Sequence, residues 1–206
     1  SSSSAASDVY KRQGVNMETT VSKLNIDIKQ RLKGIVDYET IQINEKLGQF
    51  LDTCSLPEKA KLACLTIDTS MKHLDDISNN RLSKHSILVG DLLSAHFYTI
   101  LAEINDPEYQ LAMSKAIVEV SELKSSLHQH VLTDEEASDA IFKIETLFPY
   151  ITLTHFNNEG NATQIYDFLY DDVHDYYPSY LKNYNKERVN LIMKDIKQTL
   201  DKRRGN

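Results

Sequence analysis

Apolar residues recur along this chain at intervals of three and four, with few of the alternating runs that mark strands. Between Leu24 and Cys54 the series Ile26, Ile28, Leu32, Ile35, Val36, Ile41, Ile43, Leu47, Phe50 and Leu51 follows helical more than strand spacing. Its interruption near Gly34 predicts two helices. Ser55 and Glu58 then have the form of a capping box, in which a hydroxyl and a carboxylate three residues apart satisfy free backbone donors, with Pro57 tolerated in the first turn. The helix that they open is expected to reach about Ser78.

Ser83 can cap the next helix, whose Ile87, Leu88, Leu92, Ala95, Tyr98, Ile100 and Leu101 leave it apolar on more than one side. This is read as the central helix. Asp106 and Pro107 start another, running through Val131, and Thr133 with Glu136 forms a second capping box opening a helix toward Leu147. A bend rather than an end is expected at Pro149. Asn157 to Asn161 reads as a loop, a tyrosine-rich helical stretch follows from Gln164, Pro178 breaks it, and a last helix runs from about Lys186 to Arg203. Roughly eight helices joined by short loops describe an all-α helical bundle, an architecture that specifies no function by itself. Residues 1–16 are serine-rich, lack helical periodicity and precede Met17. They are read as a leader outside the fold, leaving residues 17–206 as a single helical domain.

Composition removes several classes of function. The chain has 206 residues, about two fifths of them apolar, enough for one sizeable core. A net charge of -7 argues against nucleic acid, since no broad basic face can be assembled from it. The one basic cluster, Lys202, Arg203 and Arg204, suits a solvated helix C-terminus. Cys54 and Cys64 can build neither a disulfide framework nor a paired zinc site, which fits a reducing cytoplasm. No stretch is read as approaching the ~20 apolar residues of a membrane span, and no secretory core is present. A soluble protein is expected, with a peripheral visit to a membrane surface left open. His128 and His130 are two apart and point to different helix faces, and no serine, cysteine or lysine has a triad-like setting.

The chemistry is concentrated in aspartates. Met71 to Arg81 contains Asp75, Asp76 and Asn79, and after a short connection Leu88 to Tyr98 contains Gly90 and Asp91. Aspartates at i, i+1 and i+4 on a helix place the first and last on one face, where oxygen ligands can hold hard divalent cations. This order resembles the trans-prenyl diphosphate synthases, whose DDxxD motif is followed by an arginine pair and by a helix with Gly-Asp. Here Asn79 stands at the fifth position, Arg81 is alone, and no Gly-Lys-Arg-type motif is found near Gly34. The family's second motif, similar to FQIxDDxLD, is followed in outline by Thr163 to Asp171, with Asp167 and Asp171 kept and Phe168 in place of the middle aspartate. An intact DDxxD string does occur from Asp171 to Asp175.

The broken motifs identify the chain as resembling heptaprenyl diphosphate synthase component 1, the small subunit of two-component trans-polyprenyl diphosphate synthases, related to the hexaprenyl synthase small subunit. The resemblance implies a degenerate isoprenoid-synthase-like bundle with no catalytic residues and no metal of its own. It also implies a partner, component 2, which supplies Mg2+ and binds the allylic and isopentenyl diphosphates. This chain would stabilise that partner and help set polyprenyl length for menaquinone side-chain synthesis. Leu92, Leu93, His96, Phe97 and Ile100 are the expected partner-facing or tunnel-facing positions. Two other readings stay open: a self-sufficient prenyl synthase using Asp75, Asp76 and Asp171 to Asp175, and a helical interaction module unrelated to isoprenoids.

Overall fold

Helices begin in this chain where short polar side chains take up the amides of a first turn. Asn44, Asp106, Asn161 and Asn185 accept from the backbone N–H of Leu47, Tyr109, Gln164 and Glu187 at 3.0, 3.0, 3.1 and 2.8 Å. Thr133 and Glu136 cap each other reciprocally, at 2.8 and 3.2 Å, as a capping box should. The computed structural model describes residues 18–79, 84–157, 159–172 and 177–205, without the side chains of residues 78 and 79. Among the described residues there are α-helices and one 3-10 turn, and no strand. The helices are α1 Thr20–Arg31, α2 Glu45–Thr53, α3 Glu58–Asn79, α4 Lys84–Ile104, α5 Pro107–His128, α6 Asp134–Asn157, α7 Ala162–Tyr170 and α8 Lys186–Arg204, with the 3-10 turn at Ser179–Leu181.

Two local expectations change and one holds. The stretch between Leu32 and Asn44 is not helical, because Gly34 and Asp37 both adopt left-handed backbone, at φ 91° and 60°. Its Ile35, Ile41 and Ile43 still pack on the core, and the two expected helices are present as α1 and α2, separated by this whole stretch rather than by a short break at Gly34. At the start of α3 the Glu58 carboxylate accepts from Lys23 and Lys61, at 2.8 and 3.1 Å, rather than returning to its own turn. As expected, Pro149 does not end its helix: α6 runs through it to Asn157 although Pro149 cannot donate to the carbonyl one turn back. The proposed cap Ser83, the lone Arg81, and the leader before Met17 lie outside the described residues.

The centre of the bundle is formed by α3 and α6. The first packs against α1, α2, α4, α6 and the 3-10 turn, and the second against α3, α5, α7 and α8. The sequence reading placed α4 at the centre. Its packing is instead one-sided: Val89, Leu93, Phe97, Ile100 and Leu101 enter the core, while Ile87, Leu88 and Tyr98 are exposed. By length and composition α4 is also long enough and apolar enough to cross a membrane, contrary to the expectation that no stretch would be. A core-facing bundle helix meets the same criterion, and the inner half of α4 is used that way. Close approach of α3 and α4 depends on Gly90, where an added Cβ would lie 2.5 Å from Leu74 Cδ2, and on a 2.8 Å bond between the Ser70 and Ser94 hydroxyls.

Candidate functional site

Asp68, Lys72, Asp75 and Asp76 lie at i, i+4, i+7 and i+8 of α3 and so share one side of the helix. That side looks toward α5, α6 and the 3-10 turn. Lys124 of α5 donates to Asp75 Oδ2 at 2.6 Å, with the two side chains only 13 % and 18 % exposed. Asp76 accepts from the Ser179 hydroxyl of the 3-10 turn, and the Lys182 ammonium lies 3.9 Å away. Lys72 sits 3.1 Å from Asp68. Buried Glu145 of α6 accepts from Tyr180 at 2.7 Å and from Tyr170.

These contacts set the charges. Burial alone would push the Lys72 ammonium down, but the carboxylates of Asp68 and Glu145 outweigh it and hold it above its ordinary value. The same burial pushes the Asp68 carboxyl up. The short contact with a firmly charged ammonium favours the ionised pair. Burial likewise pushes the Asp75 carboxyl up, against the opposing pull of Lys124. A cleft of about 340 Å³ opens beside Asp75 and Asp76, lined also by Lys46, Lys72, Tyr170 and Tyr177. Among the described residues no three His, Cys, Asp or Glu side chains are grouped as metal ligands.

The second aspartate motif is not brought to this cleft. Asp167 takes the guanidinium of Arg204, near the end of α8. Phe168 lies against Phe50 of α2, ring centroids 5.3 Å apart, with Lys46 over its face. Asp171 is exposed, and Asp172 pairs with Lys46 at 3.4 Å across the surface. From this motif only Leu169 and Tyr170 reach the cleft. The side chain of Asn79, and Asp175 of the intact string, lie outside what is described.

The residues singled out on α4 divide by helical period. Leu93, His96, Phe97 and Ile100 are buried within this chain, and Leu92 is half-buried. His96 shares a 2.9 Å hydrogen bond with Asp27 of α1. The outward face carries Leu88, Ala95 and Tyr98, with Asp91 exposed between them. Sequence reasoning did not separate these two faces, although positions 89, 93, 97, 100 and 101 already trace one stripe. The residues it missed altogether are Lys124, Glu145, Ser179 and Tyr180, which come from three distant segments and match no motif. His128 and His130 also go separate ways, to Asn183 and to the ring of Tyr184. A wider groove of about 590 Å³ between α6 and α8 contains none of the motif aspartates.

A family model described as hexaprenyl diphosphate synthase, small subunit, matches residues 18–151. Among solved structures, a crystal structure of heptaprenyl diphosphate synthase from Staphylococcus aureus is 56 % identical in sequence, with a TM-score of 0.80. The match covers 87 % of this chain and 98 % of that one.

Proposed function

Because the chain belongs to the hexaprenyl diphosphate synthase small-subunit family, we propose that it is the non-catalytic subunit of a heterodimeric heptaprenyl diphosphate synthase. It stabilises a catalytic component 2 and helps set the length of the polyprenyl chain made for menaquinone. The observation that carries this reading is the commitment of the aspartates: Asp75 is bound to Lys124, Asp76 to Ser179, and Asp167 to Arg204. Carboxylates so engaged are poorly disposed to hold a divalent cation against a diphosphate. Magnesium, the allylic diphosphate and isopentenyl diphosphate belong on this reading to the partner.

The partner surface we assign to the outward side of α4, where Leu88 and Tyr98 are 42 % and 45 % exposed on the most apolar helix of the fold. Leu111 and Val118, one heptad apart on α5, add a second exposed apolar row. Large exposed apolar residues in a row mark association surfaces more often than isolated ones do. Half-buried Leu92 borders the outward face. Leu93, His96, Phe97 and Ile100 then act from behind it, by fixing how α4 is presented to the partner and to the growing apolar tail. The protein works in the cytoplasm on this reading.

Reconstitution tests the assignment. The purified chain with farnesyl diphosphate, isopentenyl diphosphate and Mg2+ is expected to give no condensation, and the same mixture with component 2 is expected to give a long polyprenyl diphosphate. Turnover by the isolated chain would support the self-sufficient reading through Asp75, Asp76 and Asp171 to Asp175. Failure to associate with component 2 would remove the proposed partnership.

A further inference from the structure

Paired aspartates that serve a divalent cation present their oxygens to one point, because the ion needs several ligands at short and similar distances. On α3 the two carboxylates are given to different neighbours, Asp75 to Lys124 and Asp76 to Ser179 and Lys182. The Lys124 ammonium is held from a second side by the ring of Tyr180, 5.2 Å from its centroid. The phenol of Tyr180 is anchored in turn on Glu145 at 2.7 Å. A carboxylate of α3 and a ring of the 3-10 turn thus meet the ammonium of α5 directly, and α6 holds that ring in place. The donor set does not suit magnesium as it stands.

We propose that Lys124 is a built-in counter-cation, seated on the carboxylate through which the aspartate pair would otherwise hold a divalent metal, so that this chain keeps the acidic side of α3 folded without magnesium. The inference concerns the isolated chain and stands whether or not the chain supports a catalytic partner. An ammonium is a single point charge that accepts a lone carboxylate and donates hydrogen bonds, whereas Mg2+ requires an octahedral set of oxygens. One ammonium balances one carboxylate where Mg2+ would balance two, so Lys124 serves Asp75, Lys182 lies near Asp76, and the geometry that grips a diphosphate is removed. Asp75 is then the partner of a lysine rather than a ligand.

Three full-length variants test this: Lys124→Met, Asp75→Asn and the double variant. Lys124→Met keeps most of the length of the side chain and removes its charge, so that the 2.6 Å ion pair with Asp75 is lost. Its Tm is expected to fall by about 6–20 °C, the scale for breaking one half of a largely buried ion pair in a chain of this size. Adding Asp75→Asn is expected to recover most of that loss, which a merely space-filling role for Lys124 would not allow. Millimolar MgCl2, compared with NaCl at equal ionic strength, is expected to raise the Tm of Lys124→Met and to leave the wild-type chain unchanged. Should Lys124→Met prove insoluble, recovery of a soluble, folded double variant carries the same information. A double variant no better than Lys124→Met, a wild-type chain that responds to Mg2+ as strongly as the variant, or a Lys124→Met chain that no divalent cation stabilises would each overturn the proposal.

Discussion

Lys124 shows how much a single side chain can change the meaning of a motif. In the sequence it is one lysine among many, 49 residues from its partner. In the fold it is the group that decides what Asp75 faces. The two cysteines differ in the same way. Cys64 is fully buried and its thiol is pushed far up by burial, while Cys54 is partly exposed and its thiol is raised less, also by burial. Only the thiolate reacts readily. An aromatic disulfide reagent at neutral pH should therefore label one thiol per native chain and two after denaturation in guanidinium. Rapid labelling of both thiols in the native chain would show that the helices around Cys64 open freely.

Among the elements, the pairing of α3 with α4 is the most extensive, and its closeness depends on Gly90. A Cβ there would meet Leu74 Cδ2 at 2.5 Å, but Leu74 is 38 % exposed and its tip has room to turn aside. Gly90→Ala should thus be tolerated, because the small clash is offset by about 1 kcal/mol of helix propensity. Gly90→Val adds two further methyl groups beyond alanine, on a stiff side chain, and should cost about 1–3 kcal/mol through forced separation of the helices. Thermal denaturation of both variants, with a drop of about 2–4 °C per kcal/mol at this chain length, distinguishes them. Equal effects would mean that the Ser70 and Ser94 contact, rather than the glycine, sets the spacing. Element boundaries were legible at several capping side chains, as at Asp106 and Thr133. They were not legible between Leu32 and Asn44, where Ile35, Ile41 and Ile43 pack on the core from an irregular strap.

At the scale of the whole molecule, the asymmetry of α4 is the property with functional reach. Aspartate at Leu88 or Tyr98 should leave the fold within about 1 kcal/mol of wild type, since surface substitutions seldom cost more. The same changes should weaken association with component 2 at least tenfold, about 1.4 kcal/mol, as read by analytical ultracentrifugation or titration calorimetry. Leu93→Asp, by contrast, puts a charge into the core and should unfold the chain before any assembly can be measured. If Leu88→Asp and Tyr98→Asp bind the partner as tightly as wild type, the outward side of α4 is not the interface.

The sequence by itself determined that the chain is helical, where most helices start, and that its aspartate motifs depart from those of a working synthase at Asn79 and Phe168. These are local or spacing-based properties, written in capping residues, in periods of three and four, and in the identity of single side chains. Only the tertiary structure decided which side of α4 is turned inward and which carboxylate meets which cation. Lys124, Glu145, Ser179 and Tyr180 reach the face of α3 from separate elements, and no pattern along the chain encodes that convergence. A helix that is apolar all round gives no sign of which half its own core will claim. For that reason Asp75 read as the remnant of a metal clamp in sequence, and in the folded chain is one half of an ion pair with Lys124.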